Sequence, residues 1–380
     1  MKRYGALFLT VVLFSQVSAR EKPEIYGYVS GMPSLLMQQP ANEVGWQGLA
    51  HNRLNFGWQF SKAWRLDIGV RNRLIFGSED LLSPERTASD IGRMDLSWNW
   101  MQGKQLLANT AFDRFYVTFE KDKWKWQLGR QRVNWGQNFV WNPNDIFNTF
   151  SFFDFDYTER SGCDAFRATY YHSETSSMEW AVSVNRDGKT TAAWLHHWNW
   201  RNFDYQLMVG EQAESDWVAG GAWSGDFNGL NFRGEFSYFH PVRQAADTTG
   251  IVAFSVGADY LFSHSLMLQA EVLYNHAGKA LSGNGLMNLY SAPLSAKYLS
   301  VCDWTLFGQA SCPLTPRLNA SLSGMYFVDI RSCYAGIALD FSLAGNLDLS
   351  LIAQCFSTLR GSESGDMQAV FGFLRLKYSF

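Results

Sequence analysis

Val252-Ala253-Phe254-Ser255-Val256-Gly257-Ala258-Asp259-Tyr260-Leu261-Phe262 runs through Ser263-His264-Ser265 into Leu266-Met267-Leu268-Gln269-Ala270-Glu271-Val272-Leu273-Tyr274-Asn275. In the first arm the even positions from Val252 to Phe262 are apolar or aromatic, while Ser255, Gly257 and Asp259 lie between them. In the second, Leu266, Leu268, Ala270, Val272 and Tyr274 oppose Gln269, Glu271 and Asn275. Successive side chains of a strand point to opposite faces, so each arm has one apolar and one polar face, and the three residues between them make a hairpin turn.

The same pattern extends in both directions. Leu66, Ile68, Val70, Leu74 and Phe76 oppose Arg65, Asp67, Gly69, Arg71 and Arg73. At the C-terminus Val370, Leu374, Leu376, Tyr378 and Phe380 oppose Arg375, Lys377 and Ser379. Soluble antiparallel sheets alternate too, so the connections decide where the apolar face looks. Tight turns at Ser61-Lys62, Lys121-Asp122-Lys123, Trp200-Arg201, Asp226-Phe227-Asn228, 263–265, 313–316 and Ala344-Gly345-Asn346 alternate with long connections at 31–48, 77–110, 132–162, 240–250 and 277–301. Short turns at one end and long loops at the other describe a transmembrane β-barrel. Strands are predicted near 24–30, 48–60, 63–76, 111–120, 123–132, 164–172, 177–186, 189–198, 201–212, 215–225, 229–239, 250–262, 265–276, 301–311, 316–328, 331–343, 346–358 and 367–380. This gives an all-β antiparallel barrel of about 18 strands, provided that 92–100, itself strand-like, belongs to the long loop after Phe76. Asn185 to Lys189 and Asp329 to Arg331 are then short turns at the long-loop end.

Composition agrees with such a chain. The 16 Trp, 16 Tyr and 29 Phe make 16% of 380 residues, yet the mean hydropathy is −0.19. Interfacial aromatics with a polar interior account for both values. Residues 1–19 read as a signal peptide: Lys2 and Arg3, an apolar run from Ala6 to Phe14, and Val17-Ser18-Ala19 as a small-residue cleavage site. The apolar run is too short to span about 30 Å of hydrocarbon as a helix. Residues 20–380 would form the barrel. Removing Lys2 and Arg3 takes the formal net charge of −3 to −5, which argues against a nucleic-acid partner. The five cysteines, Cys163, Cys302, Cys312, Cys333 and Cys355, are odd in number and lack metal-ligand spacing, so they exclude a complete disulfide framework.

The most distinctive run is Leu128-Gly129-Arg130-Gln131-Arg132-Val133-Asn134-Trp135-Gly136, followed by Trp141-Asn142-Pro143-Asn144-Asp145 and Phe152-Phe153-Asp154-Phe155-Asp156-Tyr157. Gly-Arg-Gln leading to Trp-Gly after an early strand resembles the porin-like barrels of the alginate-export and related outer-membrane channel families. That resemblance covers about ten residues. It implies a channel of about 18 strands with a positively charged lumen that passes anionic or carbohydrate solutes. The terminal strand ending in Phe380 resembles the targeting strand of outer-membrane barrels, which implies the barrel assembly machinery and outer-membrane lipid as partners.

From the residues themselves, 132–162 is the candidate constriction: it is long, aromatic and rich in Asn, Pro and Asp, and a long loop can fold into a wide lumen. Its candidate residues are Trp135, Asn142, Asn144, Asp145, Asp154 and Asp156; a loop packed on the rim by its own aromatics is the alternative. Arg71, Arg73, Arg114, Arg130, Arg132 and Arg167 lie at similar heights on four consecutive strands and form a candidate anion-favouring ring. Alternation turns Arg71, Arg73, Arg114 and Arg167 inward but puts Arg130 and Arg132 on the face of Trp124, Trp126 and Leu128. A bulge at Gly129 or a position beyond the membrane would accommodate these two. Asp113, Asp154, Asp156, Glu159 and Asp164 are candidates to neutralise the arginines. No nucleophile motif surrounds the seven histidines, and adjacent His196-His197 point to opposite faces and cannot easily share a metal. The expected function is passive passage of a small hydrophilic solute, with no catalytic residue, metal or cofactor. A non-conducting scaffold barrel and an outer-membrane barrel hydrolase are the second and third alternatives.

Overall fold

The computed structural model describes residues 22–39, 43–78, 90, 92–149, 152–153, 159–243, 249–276, 295–358 and 368–380. The predicted signal peptide, Asp154 and Asp156 lie outside the described residues. Among the described residues nineteen strands form in chain order. They are β1 Glu24–Gln39, β2 Glu43–Gln59, β3 Trp64–Gly77, β4 Ser97–Gln102, β5 Leu106–Lys121, β6 Trp124–Gln131, β7 Cys163–Ser173, β8 Ser176–Val184, β9 Thr190–Trp200 and β10 Phe203–Gln212. They continue with β11 Asp216–Phe227, β12 Leu230–Pro241, β13 Ile251–Leu261, β14 Met267–Asn275, β15 Trp304–Thr315, β16 Leu318–Phe327, β17 Ser332–Ala344, β18 Leu347–Thr358 and β19 Gln368–Ser379.

Each strand pairs antiparallel with its sequence neighbours, except that β3 pairs with β5 and β4 is attached only to β5. β19 returns to β1, where Gly27 and Phe380 exchange two backbone hydrogen bonds of 2.9 Å. The ring is therefore a closed 18-stranded antiparallel barrel. Closure leaves the ring without a free edge, as an antiparallel sheet in hydrocarbon requires. Among the described residues no helix is long and apolar enough to cross a membrane.

The two faces divide as the alternation predicts. Outward Leu74, Phe76, Leu128, Phe166, Val209, Phe254, Leu268 and Leu376 are exposed. Inward His51, Arg53, Asn109, Glu235, Ser255, Glu271 and Gln354 are buried. The apolar core of the described residues is inside the barrel, where Val133, Trp135, Val140, Trp141, Ile146, Phe153 and the apolar residues of 296–302 pack with inward Leu195, Phe239, Phe307, Tyr334 and Phe356. All five cysteines are free thiols.

Of the connection expected at 31–48, residues 31–39 and 43–48 are instead strand, because β1 runs to Gln39 and β2 starts at Glu43. Both faces of β1 carry apolar residues there, Met32 and Leu36 inward and Leu35 and Met37 outward, so alternation is hidden. Residues 92–100 stay outside the ring, but Ser97–Gln102 forms β4. The chain leaves β6 at Gln131 while β5 continues, and β4 takes the vacated edge, pairing Ser97 with Ala111 and Gln102 with Leu107.

Candidate functional site

Two walls and one inward loop make the site. On β2 and β3 the tight turn at 61–63 sets the hairpin register, which puts Arg53 opposite Arg71 and His51 opposite Arg73. Along β5 the ladder slips: Gly69 faces Arg114 and Val70 faces Phe112, leaving Asp113 extra. A bulge of this kind turns two successive side chains to one face. Asp113 and Arg114 thus both reach the interior.

Arg53 Nη1 lies 2.5 Å from Asp113 Oδ2, both buried, and Arg53 Nε lies 3.9 Å from Glu159. Arg71 Nε donates to His51 Nε2 at 3.0 Å, and Arg73 Nη2 donates to Asn109 Oδ1 at 3.0 Å. Arg114 donates to the carbonyls of Asp113 at 2.7 Å, Glu159 at 2.6 Å and Arg160 at 2.9 Å. Tyr28 Oη donates to Glu159 Oε2 at 3.0 Å, and Lys377 Nζ stands 4.2 Å from the Tyr28 ring centre. Arg53, Arg71, Arg73 and Arg114 therefore share one patch of wall with the returning end of the loop. Toward the short-turn end a cavity of about 200 Å³ continues from it, lined by Arg65, Asp67, Tyr116, Lys125 and Gln127.

The other wall is acidic. Glu235 of β12 accepts the backbone N–H groups of Gln137, of Asn138 at 2.7 Å and of Asn144 at 3.2 Å. Glu271 of β14 accepts those of Phe139 at 3.2 Å, Val140 at 2.9 Å and Trp141 at 2.8 Å, together with the Ser255 hydroxyl at 2.8 Å. Glu179 of β8 accepts the Trp135 indole N–H and lies 2.5 Å from Arg167 Nη2. A loop without regular structure has unpaired N–H groups, and the oxygens of buried acidic side chains accept several of them.

Each predicted loop residue that is described has a packing role. Trp135 is buried against Phe147. Gly136 follows it because a Cβ would collide with the Asn142 side chain. Asn142 O accepts Asp145 N at 3.1 Å. Asn144 Nδ2 donates to Gly221 O at 3.0 Å, and its Oδ1 accepts the Ser237 hydroxyl at 2.7 Å. Burial pushes the Asp145 carboxyl from 3.8 up to about 7, against the pull of Arg132 and Arg160. Beyond them Phe152 and Phe153 meet Tyr334, and Phe153 meets Phe356. The described part of the loop packs on inward-facing residues of β8, β12 and β14.

The six predicted arginines do not form one ring. Arg71, Arg73 and Arg114 stand together, joined by Arg53, which the sequence reading missed. Arg167 faces inward but is paired with Glu179 on the acidic wall. Arg132 belongs to the loop and donates to Asn134 Oδ1 at 2.7 Å. Arg130 is not a lumen residue. Gly129 has φ +125°, but the ladder runs unbroken through it, so Arg130 pairs with outward Phe115 and Asp164. There Arg130 bonds Asp164 at 2.7 Å, Asp90 at 2.6 Å and the Met94 carbonyl at 2.6 Å, fixing Asp90 and Met94 over the ends of β6 and β7.

A second inward segment, 295–303, was also missed. Lys297 Nζ lies 2.8 Å from Asp216 Oδ1, and Ala296, Leu299 and Val301 are buried in the luminal core. His196 lies outward between Trp194 and Trp198, while His197 approaches Asp204 at 3.6 Å, so the two diverge as predicted. Among the described residues no group of acidic, His and Cys side chains could hold a metal ion.

No family model and no curated protein sequence matches the chain. Its fold is similar to that of solved outer-membrane proteins. It aligns with OprD of Pseudomonas aeruginosa at TM-score 0.58 and 8% identity, covering 94% of this chain and 96% of that one. With OpdK of the same organism the TM-score is 0.59 at 7% identity, covering 94% and 99%. With OccAB1 of Acinetobacter baumannii it is 0.57 at 10% identity, covering 94% and 97%. The likeness extends to the whole barrel and places the chain in the porin-like fold; the narrower resemblance to alginate-export barrels gains no support from it.

Proposed function

We propose that the chain is an outer-membrane channel that admits small hydrophilic solutes and favours anions. One observation carries the reading: a closed barrel with an apolar exterior narrows its polar interior by an inward loop, and Arg71, Arg73 and Arg114 face that interior beside the loop's return. Passage rests on size exclusion and lumen electrostatics, with no bond made or broken. Guanidinium groups remain charged across the accessible pH range and match carboxylate or phosphate in a fork geometry. The bilayer is the solvent of the outward face, and the barrel assembly machinery that inserts such chains is the implied folding partner. The similarity to OprD, OpdK and OccAB1 supports the membrane and the channel class.

The packed aromatic core within the lumen gives the scaffold reading its one point of support, and conductance separates the two. Refolded chain in a planar bilayer should give steady, voltage-tolerant conductance steps. A folded, inserted barrel that never conducts would replace the channel with the scaffold.

A further inference from the structure

The outward face carries a cleft of about 330 Å³ over β10, β11 and β12, near the long-loop end. Its floor is Ala219, which lies directly between Val209 and Tyr238 in the ladder. Val209 and Tyr238 rise as side walls, and Trp217, more than half exposed, stands at the upper end. Below, the Phe236 ring covers Gly221. At the open upper end Tyr238 Oη and His240 Nδ1 approach to 3.1 Å, and Arg243 is exposed just past β12.

We propose that this cleft is a binding site for one acyl chain of a membrane lipid, retained as a structural ligand. The inference rests on the outward face being the membrane face. Width selects the occupant. The backbones of β10 and β12 are roughly 10 Å apart across β11. Subtracting the Val209 and Tyr238 side chains leaves room for a single hydrocarbon chain, whereas a helix is about 10 Å across. The lining is apolar along its length; Tyr238 Oη and His240 supply polar groups at the mouth, where Glu211 also lies opposite Trp217 and a lipid changes from chain to headgroup. Small residues alone do not make the cleft: on the same face Gly308 pairs with Gly324 and Gly324 with Ala335, a smooth row with no walls. The cleft exists because one small residue lies between two large ones.

The test is native mass spectrometry of the full chain extracted from membranes in mild detergent. The wild type should carry one lipid per chain through detergent exchange. Ala219→Phe, which fills the cleft, should reduce that occupancy about ten-fold, in keeping with the loss of several buried methylenes. Ala335→Phe, on the unwalled row, should leave occupancy unchanged. Tyr238→Ala removes a wall without adding bulk, so it should also lose the lipid if Ala219→Phe fails to fold. The retained mass identifies a phospholipid or a glycolipid, and either supports the site through its acyl chain. A vesicle-inserted wild type with no lipid, detergent alone, or equal occupancy in Ala219→Phe and wild type would overturn the proposal. A wild type that does not enter vesicles would overturn the membrane reading beneath it.

Discussion

The arginine wall of β2, β3 and β5 and the glutamate wall of β8, β12 and β14 occupy equivalent inward strand positions but use their charges differently. Glu235 and Glu271 are fully enclosed, and each receives three backbone N–H groups of the loop. On the other wall Arg71, Arg73 and Arg114 are of intermediate exposure, and their hydrogen bonds include those to His51 Nε2, Asn109 Oδ1 and the Glu159 carbonyl. The difference follows from chemistry. A carboxylate accepts from the loop's N–H groups, as Glu235 and Glu271 do over 137–144, whereas a guanidinium donates to its carbonyls, as Arg114 does to Glu159 and Arg160. Acidic residues therefore hold 137–144 and Arg114 holds the loop's return; in the proposed function the basic wall sets the field beside the loop.

Breaking the acidic wall should have the largest effect. Glu235→Ala with Glu271→Ala strands six loop N–H groups, at about 1–3 kcal/mol for each group left buried and unpaired. The loop should leave the lumen, raising single-channel conductance several-fold and exposing 137–149 to limited proteolysis. Glutamine at both positions should give a weaker form of the same change, since its amide accepts through one oxygen. Unchanged conductance and protection in the alanine pair would show that the aromatic contacts of Phe152 and Phe153 hold the loop unaided.

Changes on the basic wall should be smaller and different in kind. Arg71→Ala with Arg114→Ala should leave 137–149, held by Glu235 and Glu271, protected from protease, and should alter selectivity more than conductance. A loop released by this pair would mean that the arginines anchor it as well. Arg130→Met is the control from outside the lumen: it should weaken the barrel near 90–94 and leave selectivity alone.

The smallest effect concerns pH. Asp145 has its carboxyl raised from 3.8 to about 7, so between about pH 4 and 7 the folded loop binds more protons than the unfolded one. Stability should fall as pH rises through that window and level off above it. Asp145→Asn should remove this dependence and resist urea better than the wild type at pH 8. An identical pH profile in both would mean that Asp145 is ionised in its buried site.

The barrel was legible because its signals repeat. Period-two alternation recurs on strand after strand, and β13 with β14 formed as the 252–275 alternation predicts. β1 was cut short because Pro33 and apolar residues on both faces conceal the pattern; its ladder to β19 skips Met32 and Pro33. Arg53 was recoverable, since fixing the hairpin from its 61–63 turn puts it directly opposite Arg71. The inward placement of both Asp113 and Arg114 was not, because it depends on a one-residue bulge. Nor could the glutamates be recognised as loop anchors: Glu271 could be placed on a polar face, but its partners are backbone N–H groups about 130 residues away, and main-chain donors leave no mark in a sequence.

The most direct test is the reversal potential of the inserted wild-type barrel in a potassium chloride gradient, compared with Arg71→Ala/Arg114→Ala. Anion preference in the wild type that disappears or inverts in the variant, with the loop still protease-protected, is the predicted result. A wild-type pore that is unselective or prefers cations, or a preference untouched by the two substitutions, would contradict the assignment of the arginine wall as the selecting element.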